Sequence, residues 1–102
     1  MSPHTDYRLI ITDPALEDIE AIANFTTLQW GEQQAIVYKG VLAQALQQLQ
    51  AAPEQGRTRY GVSPEYKGWT AGAHVIFYRL ERETIYVVRI LHGSMDFARH
   101  LL

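Results

Sequence analysis

Cysteine is absent from these 102 residues. No disulfide therefore staples the fold, and no thiolate is on hand as a nucleophile or a zinc ligand. The absence fits a reducing compartment, and a cytoplasmic location is the expectation. No apolar run approaches the roughly 20 residues that cross a bilayer, so no membrane association is expected. Met1-Ser2-Pro3-His4-Thr5-Asp6 has no basic stretch leading into an apolar one, so no secretory signal is expected either. Lysine is scarce, Lys39 and Lys67 being the only two, and the net charge is −2 with His neutral. Such a chain is no general nucleic-acid binder, because phosphate contacts by excess cations supply that affinity. His74, His92 and His100 share no metal-ligand spacing, so neither a metal nor another cofactor is expected.

What remains is ordinary globular composition, 47% hydrophobic and 20% charged, at a length that holds one domain, 1–102. The charge is unevenly spread. Up to Ala52, six acids face Arg8 and Lys39; from Pro53 onward, seven bases including Arg57, Arg59, Arg79, Arg89 and Arg99 face five acids. The second half is either a solvated sheet edge or a surface for an acidic partner.

Tyr7 to Thr12 is short, β-branched and apolar, and reads as a strand. Asp13-Pro14 then marks a helix start, with Asp13 as cap and Pro14 at the first helical position. Glu17, Asp18 and Glu20 follow near the positive end of the helix dipole. Leu16, Ile19, Ile22, Ala23, Thr26 and Trp30 fall at helical spacing and predict a core-facing stripe that ends at Gly31. A second helix, about Glu32 to Ala51, repeats the pattern with Ala35, Tyr38, Leu42, Ala45, Leu46 and Leu49. Only Trp30-Gly31 separates the two, which predicts an antiparallel helical hairpin with Trp30 packed at its junction. Pro53 ends the second helix. Pro53 to Gly61 reads as a loop, and Tyr66–Thr70, Ala73–Leu80 and Thr84–Leu91 as strands, the last two joined by a tight turn. The order is β-α-α-β-β-β: an α+β domain with an antiparallel sheet packed against a two-helix hairpin.

A sheet with one wet face alternates apolar and polar residues; these strands do not. Strict alternation puts Ile76, Tyr78 and Leu80 on one face of their strand and Val75, Phe77 and Arg79 on the other. In the last strand it sets Val88 and Ile90 against Ile85, Val87, Arg89 and Leu91. Two helices cover one face only. Either the tail (Phe97, Leu101, Leu102) and the Pro53–Tyr66 loop cover the second, or a partner segment docks there, with Val75, Phe77, Tyr78 and Val87 as its contacts.

His74-Val75-Ile76-Phe77-Tyr78-Arg79, followed by Arg89-Ile90-Leu91-His92-Gly93-Ser94-Met95-Asp96, is similar to the C-terminal signature of ParE-type toxins within the ParE/RelE superfamily. Thr12, Ala15, Asp18 and Ile19 match the family's strand-to-helix junction. Trp30-Gly31, Ala35 and Tyr38 match its helix–helix junction, and Pro53 with Gly56 the loop that follows. The resemblance runs from about Tyr7 to Leu101, and its most specific part is Arg89 to Asp96. It implies the fold just derived and the toxin of a type II toxin–antitoxin pair. It further implies a toxin that inhibits DNA gyrase by binding and blocks replication. The implied partner is a ParD-like antitoxin with a DNA-binding N-terminal domain and a disordered tail that folds on the toxin. DNA would then be met only through that antitoxin. On this reading Arg79, Arg89, His92, Arg99 and His100 form the target surface.

Related RelE-like toxins cleave messenger RNA on the ribosome, which needs a base, an acid and a cation for the phosphorane-like charge. His74, Arg79, Arg89 and His92 are the residues for that alternative. The acidic net charge and the scarcity of lysine weigh against it. A third reading is a non-toxic homologue acting only as a corepressor. Single residues also have plain structural roles. Arg89, in an apolar strand, needs a partner such as Asp18, Glu17, Asp96 or a backbone carbonyl. His74 suits a hydrogen-bonded strand start, His92 a turn anchor, and Asp96 a cap for the tail.

Overall fold

The computed structural model describes residues 7–58 and 60–101. The strand β1 (Arg8–Ile11) leads into α1 (Asp13–Trp30) and α2 (Glu32–Ala51). A single 3-10 turn (Pro53–Gln55) and a loop follow, then β2 (Lys67–Ala71), β3 (His74–Glu81), β4 (Thr84–His92) and the short α3 (Phe97–His100). The strands form one sheet in the order β1-β4-β3-β2. β2, β3 and β4 make the expected antiparallel meander, but β1 runs parallel to β4, so the sheet is mixed. Both helices and two strands intervene between β1 and β4, and a connection that long imposes no hairpin geometry.

The start of α1 differs from the expectation. Thr12 is the cap residue, and no side chain caps the helix. The Thr12 hydroxyl instead donates to the carbonyls of Val87 at 2.8 Å and Val88 at 3.3 Å, and its N–H also donates to Val87 at 3.0 Å. Asp13 is therefore a first-turn acid rather than the cap. The buried stripe of α1 is Ala15, Ile19, Ile22 and Thr26, rotated from the expected one so that Ala15, not Leu16, meets the sheet. Trp30 continues that spacing but is 72% exposed. There the helix has run past the sheet end, and the indole lines a groove with Ala73, His74 and His92 instead of packing the helix junction. Gly31, at φ +94, turns the chain between the helices in a conformation that side chains rarely adopt. The α2 stripe is as expected, with Ala35, Leu42, Ala45 and Leu49 buried.

A β-bulge resets the faces of β4. Phe77 pairs with Arg89 but Tyr78 pairs with Val87, leaving Val88 unmatched. The alternation slips by one residue there. Ile85 and Val87 before the bulge, and Ile90 after it, all join Ile76 and Tyr78 in the core beneath the helices. Val75, Phe77 and Leu91 form a second cluster, with Val88 against it, on the opposite face.

That second face is closed by the chain itself. Tyr60, Val62, Phe97 and Leu101 pack on it. The rings of Phe77 and Phe97 meet edge-to-face at 4.8 Å, and Tyr60 meets each of them at 5.4 and 5.5 Å. The open groove expected over Val75, Phe77, Tyr78 and Val87 is therefore corrected. All four are buried, Tyr78 and Val87 on the helix side and Val75 and Phe77 under the loop and tail. Leu102, also named as a cover, lies outside the described residues. Apolar area on two faces did require two covers, but the tail and loop supply the second. Each fully buried aromatic or branched side chain here is worth about 1.5–3 kcal/mol.

Tyr78 fastens the helix end to the sheet by donating its hydroxyl to the Pro53 carbonyl at 2.6 Å. Gly56 makes room for it: a Cβ there would sit 2.0 Å from the Tyr78 hydroxyl oxygen. Backbone strain is not the reason, since Gly56 has φ −64. Gly56→Ala is predicted to cost about 1–3 kcal/mol in urea unfolding, and less in a Tyr78→Phe background, where the nearest clashing atom is gone. Burial pushes the Tyr78 phenol up to about 12. Its neutral form is favoured in the fold, so this contribution is intact below pH 10.0 and is lost as pH climbs toward 12. A stability profile in which Tyr78→Phe removes that alkaline decline is the check.

Candidate functional site

β3 and β4 bring His74 and His92 directly opposite each other, with ring centroids 5.2 Å apart and planes at 83°. Both imidazoles line two adjoining cavities of ≈ 380 and ≈ 590 Å³ between the helical hairpin and this end of the sheet. Phe25 belongs to both cavities, Met95 walls the smaller one and Trp30 the larger. Phe25 is 62% exposed although it lies in the middle of a helix, so these cavities form one groove with an apolar, open rim.

The hydrogen bonds around each imidazole set its proton. Ser94 N–H donates to His92 Nδ1 at 3.1 Å, and the Ser94 hydroxyl approaches the same atom at 2.8 Å. A backbone N–H only donates, so Nδ1 of His92 is an acceptor and its ring proton sits on Nε2. Tyr38 holds His74. The Tyr38 oxygen receives Ala73 N–H at 2.9 Å and lies 2.5 Å from His74 Nδ1 and 3.2 Å from the Ala71 carbonyl. The Ala71 carbonyl can only accept, so the hydroxyl hydrogen goes to it and the Tyr38 oxygen is placed to accept from His74 Nδ1–H. Burial first, and His92 next, hold the His74 imidazole below its ordinary 6.5, against an upward pull from Asp18.

Arg89 is occupied. Its Nε and Nη2 donate to the two carboxylate oxygens of Asp18 at 2.7 and 3.0 Å, and its Nη1 reaches the His100 carbonyl at 3.3 Å. Asp18 also accepts the Ile90 N–H at 2.8 Å. Of the partners the sequence offered, Asp18 and a carbonyl are the ones used. The Asp18 hydrogen bond raises the Arg89 pKa first, with burial opposing it and the charges of Asp18 and then Glu17 adding to it.

Arg79 is elsewhere. It stands five residues along β3 from His74, roughly 16 Å for an extended strand, where it pairs with Glu81 and lies 5.4 Å from the Tyr86 ring centroid. The four residues considered for RNA cleavage are thus not one constellation: His74, Arg89 and His92 share the smaller cavity, and Arg79 is apart. Arg99 and His100 are exposed in the last turn of α3, next to Arg89 through the His100 carbonyl. Asp96 precedes α3 as expected, without a side-chain cap bond. Among the described residues, no group of three or more His, Cys, Asp or Glu is placed to hold a metal.

Sequence reading missed the exposed apolar rim. Phe25, Leu28, Ile36 and Val37 stand open on the hairpin. The signal was present: all four fall off the buried stripes, where a solvated helix face carries polar residues.

Comparison with known proteins agrees on one family. The family model described as ParE toxin of type II toxin-antitoxin system, parDE, matches residues 9–97. Toxin ParE1 of Mycobacterium tuberculosis is 38% identical over 95 residues, which cover 92% of this chain and 97% of the relative. Toxin ParE1 of Caulobacter vibrioides is 29% identical over 87 residues, covering 85% and 90%. A solved chain from the chromosomal ParDE TA system of P. aeruginosa superposes with a TM-score of 0.75 at 21% identity, covering 85% of this chain and 96% of that one, a likeness of fold.

Asp18→Ala is predicted to cost about 2–3 kcal/mol, short of the 3–5 of a fully buried pair because both side chains retain some exposure. In a double-mutant cycle with Arg89→Ala, the second change is expected to cost much less than it does alone. In an NMR titration His74 should have a midpoint below 6.5. Because that fold-state value is depressed, its contribution to stability is present above 6.5 and is lost as pH falls toward the midpoint.

Proposed function

The chain belongs to the ParE toxin family of type II toxin–antitoxin systems, and from that membership we propose that it arrests growth by binding DNA gyrase, with no reaction of its own. The observation that carries this reading is the engagement of Arg89. With both of its forward nitrogens on Asp18 and Arg79 at the far end of β3, the histidine pair has no free guanidinium at its side among the described residues. Acid and base are present, but the cation that an RNA-cleaving centre sets against phosphorane-like charge is already taken. Docking to a protein target requires no such group.

Arg99 and His100 on α3, with Arg89 and His92 behind them, make up the proposed target surface. Arg79 contributes, if at all, from a separate place on the hairpin. An antitoxin of the ParD kind keeps the toxin silent in this proposal, and DNA is met only through that antitoxin. Its apolar tail covers the exposed hairpin side chains Phe25, Leu28, Ile36 and Val37. The buried Val75, Phe77, Tyr78 and Val87 lie outside its reach unless Tyr60 and Phe97 give way.

Purified gyrase is expected to lose supercoiling activity, and cleaved complex to accumulate, when this protein is added. A combined Arg99→Ala, His100→Ala variant should inhibit about tenfold more weakly, the scale of losing charge-assisted contacts at an interface. Untouched supercoiling with no cleaved complex would remove gyrase as the target. The paired imidazoles favour a second reading, ribosome-dependent RNA cleavage. Codon-positioned cuts in a primer-extension map after induction would establish it in place of the first. Normal division on induction without antitoxin would leave the corepressor role.

A further inference from the structure

We propose that Phe97 is a positioning residue for the target surface. Wedged between Phe77 and Tyr60, its ring holds α3 in one orientation on the sheet, so that Arg99 and His100 meet their partner as a preformed surface. This deepens the proposed function and rests on its reading of α3 as the gyrase-facing surface.

A helix as short as α3 does not persist alone, because so few backbone bonds cannot offset the cost of starting a helix. Leu101 N–H donates to the Phe97 carbonyl at 3.1 Å and Arg99 N–H to the Asp96 carbonyl at 3.2 Å, and no side chain caps the turn. Its order therefore comes from contacts with the rest of the fold. Phe97 and Leu101, four residues apart and so on one face, are half-buried against the sheet, while Ala98, Arg99 and His100 are exposed. Arg89 adds its bond to the His100 carbonyl, but at 3.3 Å that bond is long. Phe97 is the stronger anchor. Its ring centroid lies 4.8 Å from that of Phe77 and 5.5 Å from that of Tyr60, both edge-to-face, an arrangement that aromatic rings prefer. Phe77 is fully buried in β3, so the wedge is fixed to the sheet itself.

The third ring depends on β2. Gly68 is buried there, and a Cβ at that position would lie 2.5 Å from Tyr60 Cε2. The absent side chain leaves the space that the Tyr60 ring fills. A line of contact thus runs from Gly68 through Tyr60 and Phe97 to the two basic side chains of α3. A surface ordered in advance loses little freedom on binding, whereas a loose tail binds only in the fraction of molecules that have it in place.

The test uses the full chain, NMR relaxation and purified gyrase. In the wild type the Arg99 and His100 amides should have order parameters near the about 0.85 of rigid backbone, and in Phe97→Ala these should fall below about 0.6. Phe97→Ala should also inhibit supercoiling about tenfold more weakly, as expected if about one molecule in ten has α3 in place. Phe97→Leu, which keeps an apolar anchor, should recover part of that loss. In the Phe97→Ala background the Arg99→Ala, His100→Ala pair should then weaken inhibition little further, whereas a merely structural defect would leave the two losses additive. Gly68→Ala, which leaves α3 untouched and displaces Tyr60, should loosen α3 in the same direction, and it replaces Phe97→Ala should that variant not fold in a thermal melt. A mobile α3 in the wild type, an equally rigid α3 in the variants, or additive losses overturn the proposal. A wild type that leaves gyrase untouched removes the target reading alone, and the relaxation comparison then decides whether Phe97 holds α3.

Discussion

β4 outruns its neighbour, and α1 supplies the hydrogen bonds that β1 no longer reaches to make. β1 pairs only with Thr84 to Val87. Beyond that point one edge of β4 has carbonyls and N–H groups that need partners in a half-buried setting. Thr12 takes the Val87 and Val88 carbonyls, and Asp18 takes the Ile90 N–H. The two residues stand six apart at the beginning of α1, so one stretch of helix serves the edge that a longer strand would otherwise have served. Arg89 then closes on the same carboxylate. A charge in an apolar strand is thereby compensated, and α1 is held against the sheet in one register.

The rest of the molecule follows from that placement. Fixed at Thr12 and Asp18, α1 runs past the sheet end and carries Phe25 and Trp30 over His74 and His92, which creates the groove. The bulge at Val88, next to the Thr12 bonds, shifts the alternation so that Ile90 rejoins the core while Leu91 turns to the other face. There Tyr60, Val62, Phe97 and Leu101 complete the cover. The apolar surface left open is consequently on the helices rather than on the sheet.

Much of this was legible in the residues. Helical spacing in α2, the Pro53 stop, the tight turn between β3 and β4 and the order of the elements all follow from local chemistry, and the Arg89-to-Asp96 run pointed to the family. Three features were not legible. The parallel pairing of β1 depends on a long crossover that no local pattern encodes. The bulge at Val88 put Val87 in the helix-side core, because a one-residue slip is invisible in a strand such as Ile85 to Leu91 that is largely apolar on both faces. The exposure of Trp30 depends on where the sheet ends, not on the helix that carries the residue. The candidate site was legible as residue types only. His74, Arg89 and His92 were named from the sequence, but Tyr38 and Ser94, which hold the two rings, became apparent only through their contacts.

Family membership and geometry join at Arg89. The family signature includes it, and the structure gives it the work of joining helix, strand and tail. The most direct measurement is NMR of the Arg89 side chain in the free protein. A guanidinium fixed on Asp18 has a slowly exchanging Nε–H and resolved, slowly rotating Nη groups, and that is the result predicted. A single averaged Nη signal with rapid solvent exchange would mean that the guanidinium is free, and the account of a locked arginine would be contradicted.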